Sequence, residues 1–425
     1  MKNNFKYSFS DLFIVLASIF LSASVVFSAN QMWLVFTTGV LVVYLFHKDK
    51  LRFHKRFGLV ILFLIVISLL QVIQNSFFSA WTEIGNIIRF TLPYLIVLSV
   101  GAAYVPLFVK SMKIITVVNF LFYIPSLLIP GFNNQLTKIP ALTGLDQYGQ
   151  GTNFLIYTVE NAKRYGVLRN SGMFFEPGQF ASYLILAIIF RLFLDRGFSL
   201  KNNLIFVIAL FFTFSTAGYL FFFIVLFFYY FLTLNNKPAI VILLLAIVYL
   251  GYNTYIGLDF MGEKIEKQYN RMLYESRYGY GSGSERTVTT YNDFLASIEF
   301  PLIGLGRNSA TRYGRLDIGR VDRFIESNTS FDIAATYGYP FFFLYFYLMY
   351  LSFYKLSIHY KLNRRYAWVF TILIFLMYLS QTLYLHNSFL VLLYLNIFYK
   401  KENYENNLNN HPHFQSQELS KKTIN

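Results

Sequence analysis

The sequence predicts an all-α, polytopic integral membrane protein with about twelve transmembrane helices and two long extracytoplasmic loops. Three observations carry this. Hydrophobic residues make up 56% of the chain and charged residues 13%, with a mean hydropathy of +0.47, against roughly 25% charge in soluble domains. Apolar runs long enough to cross a hydrocarbon core of about 30 Å recur along the whole length. Lys and Arg cluster at alternate connections between those runs, the mark of cytoplasmic loops.

Taken in order, the apolar runs place spans at 11–28, 32–46, 57–74, 87–109, 113–130, 173–194, 203–215, 217–234, 238–256, 328–354, 366–384 and 387–400. The first run, Leu12 to Phe27, has no convincing cleavage site and is followed at once by another span, so it reads as a span and not a secretory signal. The 203–234 pair turns through Ser215-Thr216-Ala217-Gly218, small residues suited to a tight hairpin. Basic residues at Lys2 and Lys6, Lys48 to Arg56, Lys110 and Lys113, Arg196 and Lys201, Lys237, and Lys355 to Arg365 all fall on one side. The positive-inside rule makes that side cytoplasmic and puts both termini there. The net charge of +15 then follows from topology and attraction to anionic headgroups, with no need of nucleic acid. Residues 1–400 form a single membrane domain, and the Asn-rich tail 401–425 is expected to be disordered.

The chain has no cysteine, which excludes disulfides and thiolate metal sites. His47, His54, His359, His386, His411 and His413 show no metal-ligand spacing, so no metal site and no cofactor are expected. Polar chemistry concentrates in the two outer loops, at about 131–172 and 257–327. The second loop holds ten acids and ten bases, and eight of those bases are arginines, whereas elsewhere lysines outnumber arginines seventeen to nine. Arginine's planar fork binds phosphate in a bidentate way and stays charged. Arg286 stands out because it follows the Gly279–Ser284 stretch and opens a helical-looking run toward Pro301-Leu302-Ile303-Gly304-Leu305-Gly306.

The segment Arg169 to Ala181 puts an arginine and a carboxylate at the mouth of a span. Pro177 suits the first helical turn, and Glu176 falls at or before the N-cap, against the positive end of the helix dipole. An ionisable residue near hydrocarbon is costly and therefore a functional candidate. The alternative is a capping carboxylate on an ordinary helix. Arg89, near the outer end of the fourth span, either meets a lipid phosphate or snorkels to the headgroups.

Three pieces then resemble a known family, the bacterial O-antigen or capsule repeat-unit polymerases (Wzy-type) within the O-antigen polymerase/ligase superfamily. They are Arg169…Gly172…Phe175-Glu176-Pro177, then Glu285-Arg286 leading to Pro301–Gly306, then Ser327-Asn328 followed after nine residues by Gly338 and Pro340. The resemblance covers roughly residues 165–345. Ligases of the superfamily carry a histidine where this chain has Ser327, and Phe341 departs from the Gly, Thr or Tyr of the pattern. Polymerase is therefore favoured over ligase.

The resemblance implies a GT-C-like architecture in the bacterial cytoplasmic (inner) membrane. It also implies a hexosyltransferase-type reaction on undecaprenyl-diphosphate-linked oligosaccharides, which serve as donor and acceptor at the outer leaflet. A chain-length regulator and a flippase are the implied partners, beside membrane lipid. Expelling a diphosphate without metal calls for arginines, and the attacking hydroxyl needs a proton acceptor. The expected catalytic residues are Arg169 and Arg286 at the diphosphate and Glu176 as base or as the group orienting an arginine. Arg277, Arg89 and Asn328 are the expected substrate contacts. A flippase or exporter is the competing class. Internal repeats are missing and mid-span charge looks nearly absent, which favours surface chemistry over translocation.

Overall fold

The computed structural model describes residues 7–24, 27, 32–76, 78–136, 151–153, 155–160, 168–233, 286–308, 311 and 330–399, with isolated positions between 238 and 270. These residues are mostly helical. The helices are α1 (Phe9–Ala23), α2 (Met32–His47), α3 (Lys55–Asn75), α4 (Ala80–Val100), α5 (Tyr104–Leu128), α6 (Phe132–Leu136), α7 (Pro177–Asp195), α8 (Leu200–Phe212), α9 (Thr216–Thr233), α10 (Arg286–Glu299), α11 (Ser330–His359), α12 (Tyr366–Ser380) and α13 (Asn387–Leu390). Strands β1 (Gly151–Asn153) and β2 (Thr158–Glu160) form a short antiparallel ladder with Thr152 opposite Val159.

Among the described residues five stretches are long and apolar enough to cross a membrane: Lys55–Asn75, Ala80–Leu128, Pro177–Asp195, Thr216–Thr233 and Ser330–His359. Shorter apolar helices of 10–17 residues lie at Phe9–Ala23, Met32–His47, Leu200–Phe212, Tyr366–Ser380 and Asn387–Ile397. The chain thus has the character of a membrane-embedded helical protein. The expected span at 238–256 and the tail 401–425 lie wholly or largely outside the described residues.

One boundary moves. The break expected at Lys110 falls at Gly101, whose φ of +58° ends α4 and starts a single 3-10 turn before α5. Glycine adopts that backbone without a Cβ penalty. Lys110 therefore lies inside α5, its Nζ 3.4 Å from the Tyr7 hydroxyl, and a lysine stem tolerates that position.

Burial sorts the helices. Residues 180–190 of α7 are all buried, so an element apolar on every face is the centre of the bundle. On α3, Phe57, Val60, Leu64, Ile67 and Gln71 turn inward at helical spacing, while Leu62, Leu69 and Ile73 stay exposed. That is the pattern of a helix with one face on the bundle and one for lipid. At one end of the bundle basic side chains gather. Lys50 Nζ lies 3.4 Å from Ser99 O, Lys355 Nζ donates to Asn396 O at 2.6 Å, and Arg56 donates to the Asn396 side chain. The other end carries the polar groups described next.

Candidate functional site

Helix α11 is broken. Pro340 has no N–H to give to Thr336 O, and Gly338 takes φ +79°, ψ 165°, a region open essentially to glycine. The freed groups are re-bonded by the Pro301–Gly306 turn. Leu305 N donates to Ala335 O at 2.8 Å, Gly306 N to Thr336 O at 3.1 Å, and Tyr339 N to Pro301 O at 2.7 Å. Gln71 Nε2, from α3, donates to Ile303 O and Thr336 O, each at 2.6 Å. Backbone groups in apolar surroundings must be satisfied internally, and irregular backbone persists there where it is buried in protein or lines a cavity. The fit is close: a Cβ on Gly304 would lie 2.6 Å from Thr336 C and O, and one on Gly338 2.3 Å from Leu302 O.

In the first turn of α11, before the break, Asp332 is 2% exposed. The Tyr384 hydroxyl donates to its Oδ2 at 2.5 Å and the Thr336 hydroxyl to its Oδ1 at 3.1 Å. Burying a carboxylate is costly unless such donors meet it. Arg307, Arg89, Asp332 and Glu83 all lie within electrostatic reach of the buried Tyr337 hydroxyl. That hydroxyl has no hydrogen-bond partner among the described residues. Glu83, in the first turn of α4, accepts from Ser68.

The Arg169–Glu176 segment is held from three sides. Tyr123 donates to Leu168 O at 2.9 Å, Asn170 N to Phe212 O at 2.9 Å, and Asn170 Nδ2 to Asn119 Oδ1 at 2.7 Å. Thr158 clasps the far side through Gly172 O at 2.7 Å and Phe174 O at 2.9 Å. Glu176 is the N-cap of α7 in extended backbone, yet its side chain makes no capping hydrogen bond. The carboxylate thus makes no side-chain capping hydrogen bond while it stays at the positive end of the helix. The first turn of α7 meets the 381–386 segment: Gln179 Nε2 donates to Thr382 Oγ1 at 3.0 Å, and Gly178 packs on Gln381. That segment also carries Tyr384, on Asp332, and His386, whose Nδ1 is 3.1 Å from the Tyr183 hydroxyl.

The segment at Arg169–Glu176, the Pro301–Gly306 turn and the region around Gly338 are thus joined through Gln71 and residues 381–386 at one end of the bundle. Arg89 belongs to this end, acting on Tyr337 and His386. It sits mid-way along α4 instead of near a helix mouth, because α4 starts at Ala80 and not at 87. Arg286 opens α10, which packs on α11 with Ser297 Oγ 3.0 Å from the Tyr339 hydroxyl. Arg277 and Asn328 lie outside the described residues. Among the described residues no cluster of three or more His, Asp or Glu is placed to hold a metal.

No family model, curated protein or solved structure matches this chain. The site is therefore read from its own geometry. Arg89 lies mid-way along the apolar helix α4, and Asp332 lies in the first turn of α11. Sequence reasoning missed Asp332, Glu83 and Gln71. The available signal was a lone acid or amide in an otherwise apolar run.

Proposed function

We propose that this chain is a surface-polysaccharide polymerase of the Wzy type. It is a glycosyltransferase that joins undecaprenyl-diphosphate-linked repeat units at the outer face of the bacterial cytoplasmic membrane. About twelve spans carry it, with both termini inside and the polar end of the bundle outward. The observation that supports this reading is the joining of three distant segments, around Glu176, Gly304 and Gly338, at the end opposite the basic side chains. The exposed Trp33 and Trp81, at the starts of α2 and α4, suit a headgroup-level aromatic belt at that end.

In the reaction, a hydroxyl of the acceptor's non-reducing-end sugar attacks the donor's anomeric carbon. The new C–O bond forms as the bond to the lipid diphosphate breaks, and the diphosphate leaves with its carrier. Arg169 and Arg286, with Arg89 and Arg277, stabilise the leaving charge. Glu176 takes the hydroxyl proton or orients Arg169, and its carboxylate makes no capping hydrogen bond. Asp332 already accepts from two hydroxyls, which suits it to positioning.

A second reading, translocation of lipid-linked units, draws on the broken α11 and the buried Asp332, features frequent in transporters. One experiment separates the two. Glu176→Gln and Arg169→Lys are introduced into a deletion strain complemented with this gene. The polymerase reading expects single repeats on the acceptor and lipid-linked units on the outer leaflet. Lipid-linked units trapped inside favour translocation, and full-length polymer from both variants refutes the residue assignment.

A further inference from the structure

The basic end of the bundle holds two cations side by side. Arg56, the second residue of α3, and Lys355, near the end of α11, are both half-buried. Both donate to one carbonyl oxygen, Asn396 O, Lys355 Nζ at 2.6 Å and Arg56 Nη1 at 3.2 Å. That carbonyl is fixed in place. Asn396 is fully buried, and its N and Nδ2 donate to Ser352 Oγ at 2.9 and 3.1 Å. Arg56 Nη1 also meets Asn396 Oδ1, so Asn396 engages that nitrogen alone. The Nε–Nη2 edge of the guanidinium and the remaining N–H groups of Lys355 have no acceptor among the described residues. No carboxylate among those residues pairs with either cation.

Like charges held together away from water are costly without a counter-ion. A phosphate matches this pair, since it takes the bidentate edge of an arginine and the point charge of a lysine. His54, the N-cap of α3, makes no side-chain capping hydrogen bond, so the positive end of the helix adds to the charge. The residues after Arg56 favour a phosphate carried on a lipid. Leu59, Phe63, Val66 and Leu70 follow it at alternating spacings of three and four, one strip along the helix, and Leu59, Val66 and Leu70 are exposed. Phe63 lies 6.0 Å from the Phe341 ring, so the strip borders α11, which carries Lys355. A free anion leaves that strip bare, whereas an acyl chain covers it. We propose that an anionic phospholipid seats its headgroup phosphate on Arg56 and Lys355, with an acyl chain along Leu59, Val66 and Leu70. Such a site needs only a membrane-embedded chain, whatever the reaction at the other end of the bundle.

The test adds dioleoylphosphatidylglycerol, dioleoylphosphatidylcholine or inorganic phosphate to full-length protein in a nonionic detergent. Bound lipid is counted by native mass spectrometry, and folding is followed by thermal melt. Wild-type protein binds phosphatidylglycerol about tenfold more tightly than phosphatidylcholine, whose own cation opposes the basic pair. Arg56→Gln and Lys355→Gln each weaken phosphatidylglycerol binding by about ten- to a hundredfold. Arg56→Lys, which keeps the charge and loses the fork, weakens it less. Lys201→Gln, at an exposed base on α8, binds as wild type. Lys355→Gln carries the test if Arg56→Gln does not fold. Undiminished binding by Lys355→Gln, an equal loss in Lys201→Gln, or equal binding of the two lipids overturns the site. Inorganic phosphate that raises the melting temperature as much as phosphatidylglycerol does overturns the lipid in favour of a free anion.

Discussion

Replacing Gly338 by alanine tests how the two halves of α11 are held apart. The backbone there, at φ +79° and ψ 165°, costs a non-glycine residue about 1–3 kcal/mol. The added methyl would lie 2.3 Å from Leu302 O, 2.5 Å from Leu302 C and 2.8 Å from Ile303 N. Those are backbone atoms that cannot rotate aside, so the 301–306 turn must move. Its bonds to Ala335 O, Thr336 O and Tyr339 N are then lost, at about 1 kcal/mol each. The sum, roughly 4–6 kcal/mol, exceeds the 0.5–3 kcal/mol of most point substitutions. Gly39→Ala in α2 is the control, since a Cβ there meets nothing within 4 Å and the change is neutral or stabilising by up to about 1 kcal/mol. The assay is a thermal melt of purified protein in detergent, with limited proteolysis to follow release of residues 300–308. A Gly338→Ala protein that melts with wild type and Gly39→Ala, and resists protease equally, refutes the account of the break.

Three further outcomes follow. Gln71→Leu removes the amide that bonds Ile303 O and Thr336 O and destabilises by about 1–3 kcal/mol, read as a lower melting temperature that Gln71→Glu does not restore. Asp332→Asn keeps the shape but turns an acceptor into a donor facing the Tyr384 or Thr336 hydroxyl; it lowers polymer yield more than Tyr384→Phe, measured by glycan gel at matched expression. His54, outside the spans, is held below the ordinary histidine range by burial and then by the Arg52 guanidinium. The unfolded chain therefore binds the proton first as pH falls. Stability from the neutral ring is present above a pH of about 6.5 and declines on acidification through the folded-state value, so a melt series from neutral to mildly acid pH should fall less steeply in His54→Gln.

The fold class was legible because hydropathy alone separates this chain from soluble proteins, and most helices start near the positions the apolar runs indicate. Lys110 misled because a basic residue reads as a loop, whereas a glycine with left-handed backbone, Gly101, supplies the break. At the site, Pro301–Gly306 and Gly338 were visible as separate glycine-rich pieces. Their pairing was not, since it depends on carbonyls that Pro340 frees some thirty residues downstream of the turn. Asp332 stayed hidden for a related reason. An acid in a first helical turn reads as a partner of the helix dipole, and only tertiary contact with Tyr384 gives it another place. Glu176 moved the other way, from a plausible cap to a carboxylate at the positive helix end that makes no capping hydrogen bond.

The central claim is that the polar end of this bundle elongates a lipid-linked glycan. The glycan length profile of a strain lacking the chain, with and without the wild-type gene restored, tests it most directly. The account predicts single repeat units on the acceptor in the deletion strain and a full ladder on restoration. A full ladder without the gene, or no attached glycan at all, contradicts it.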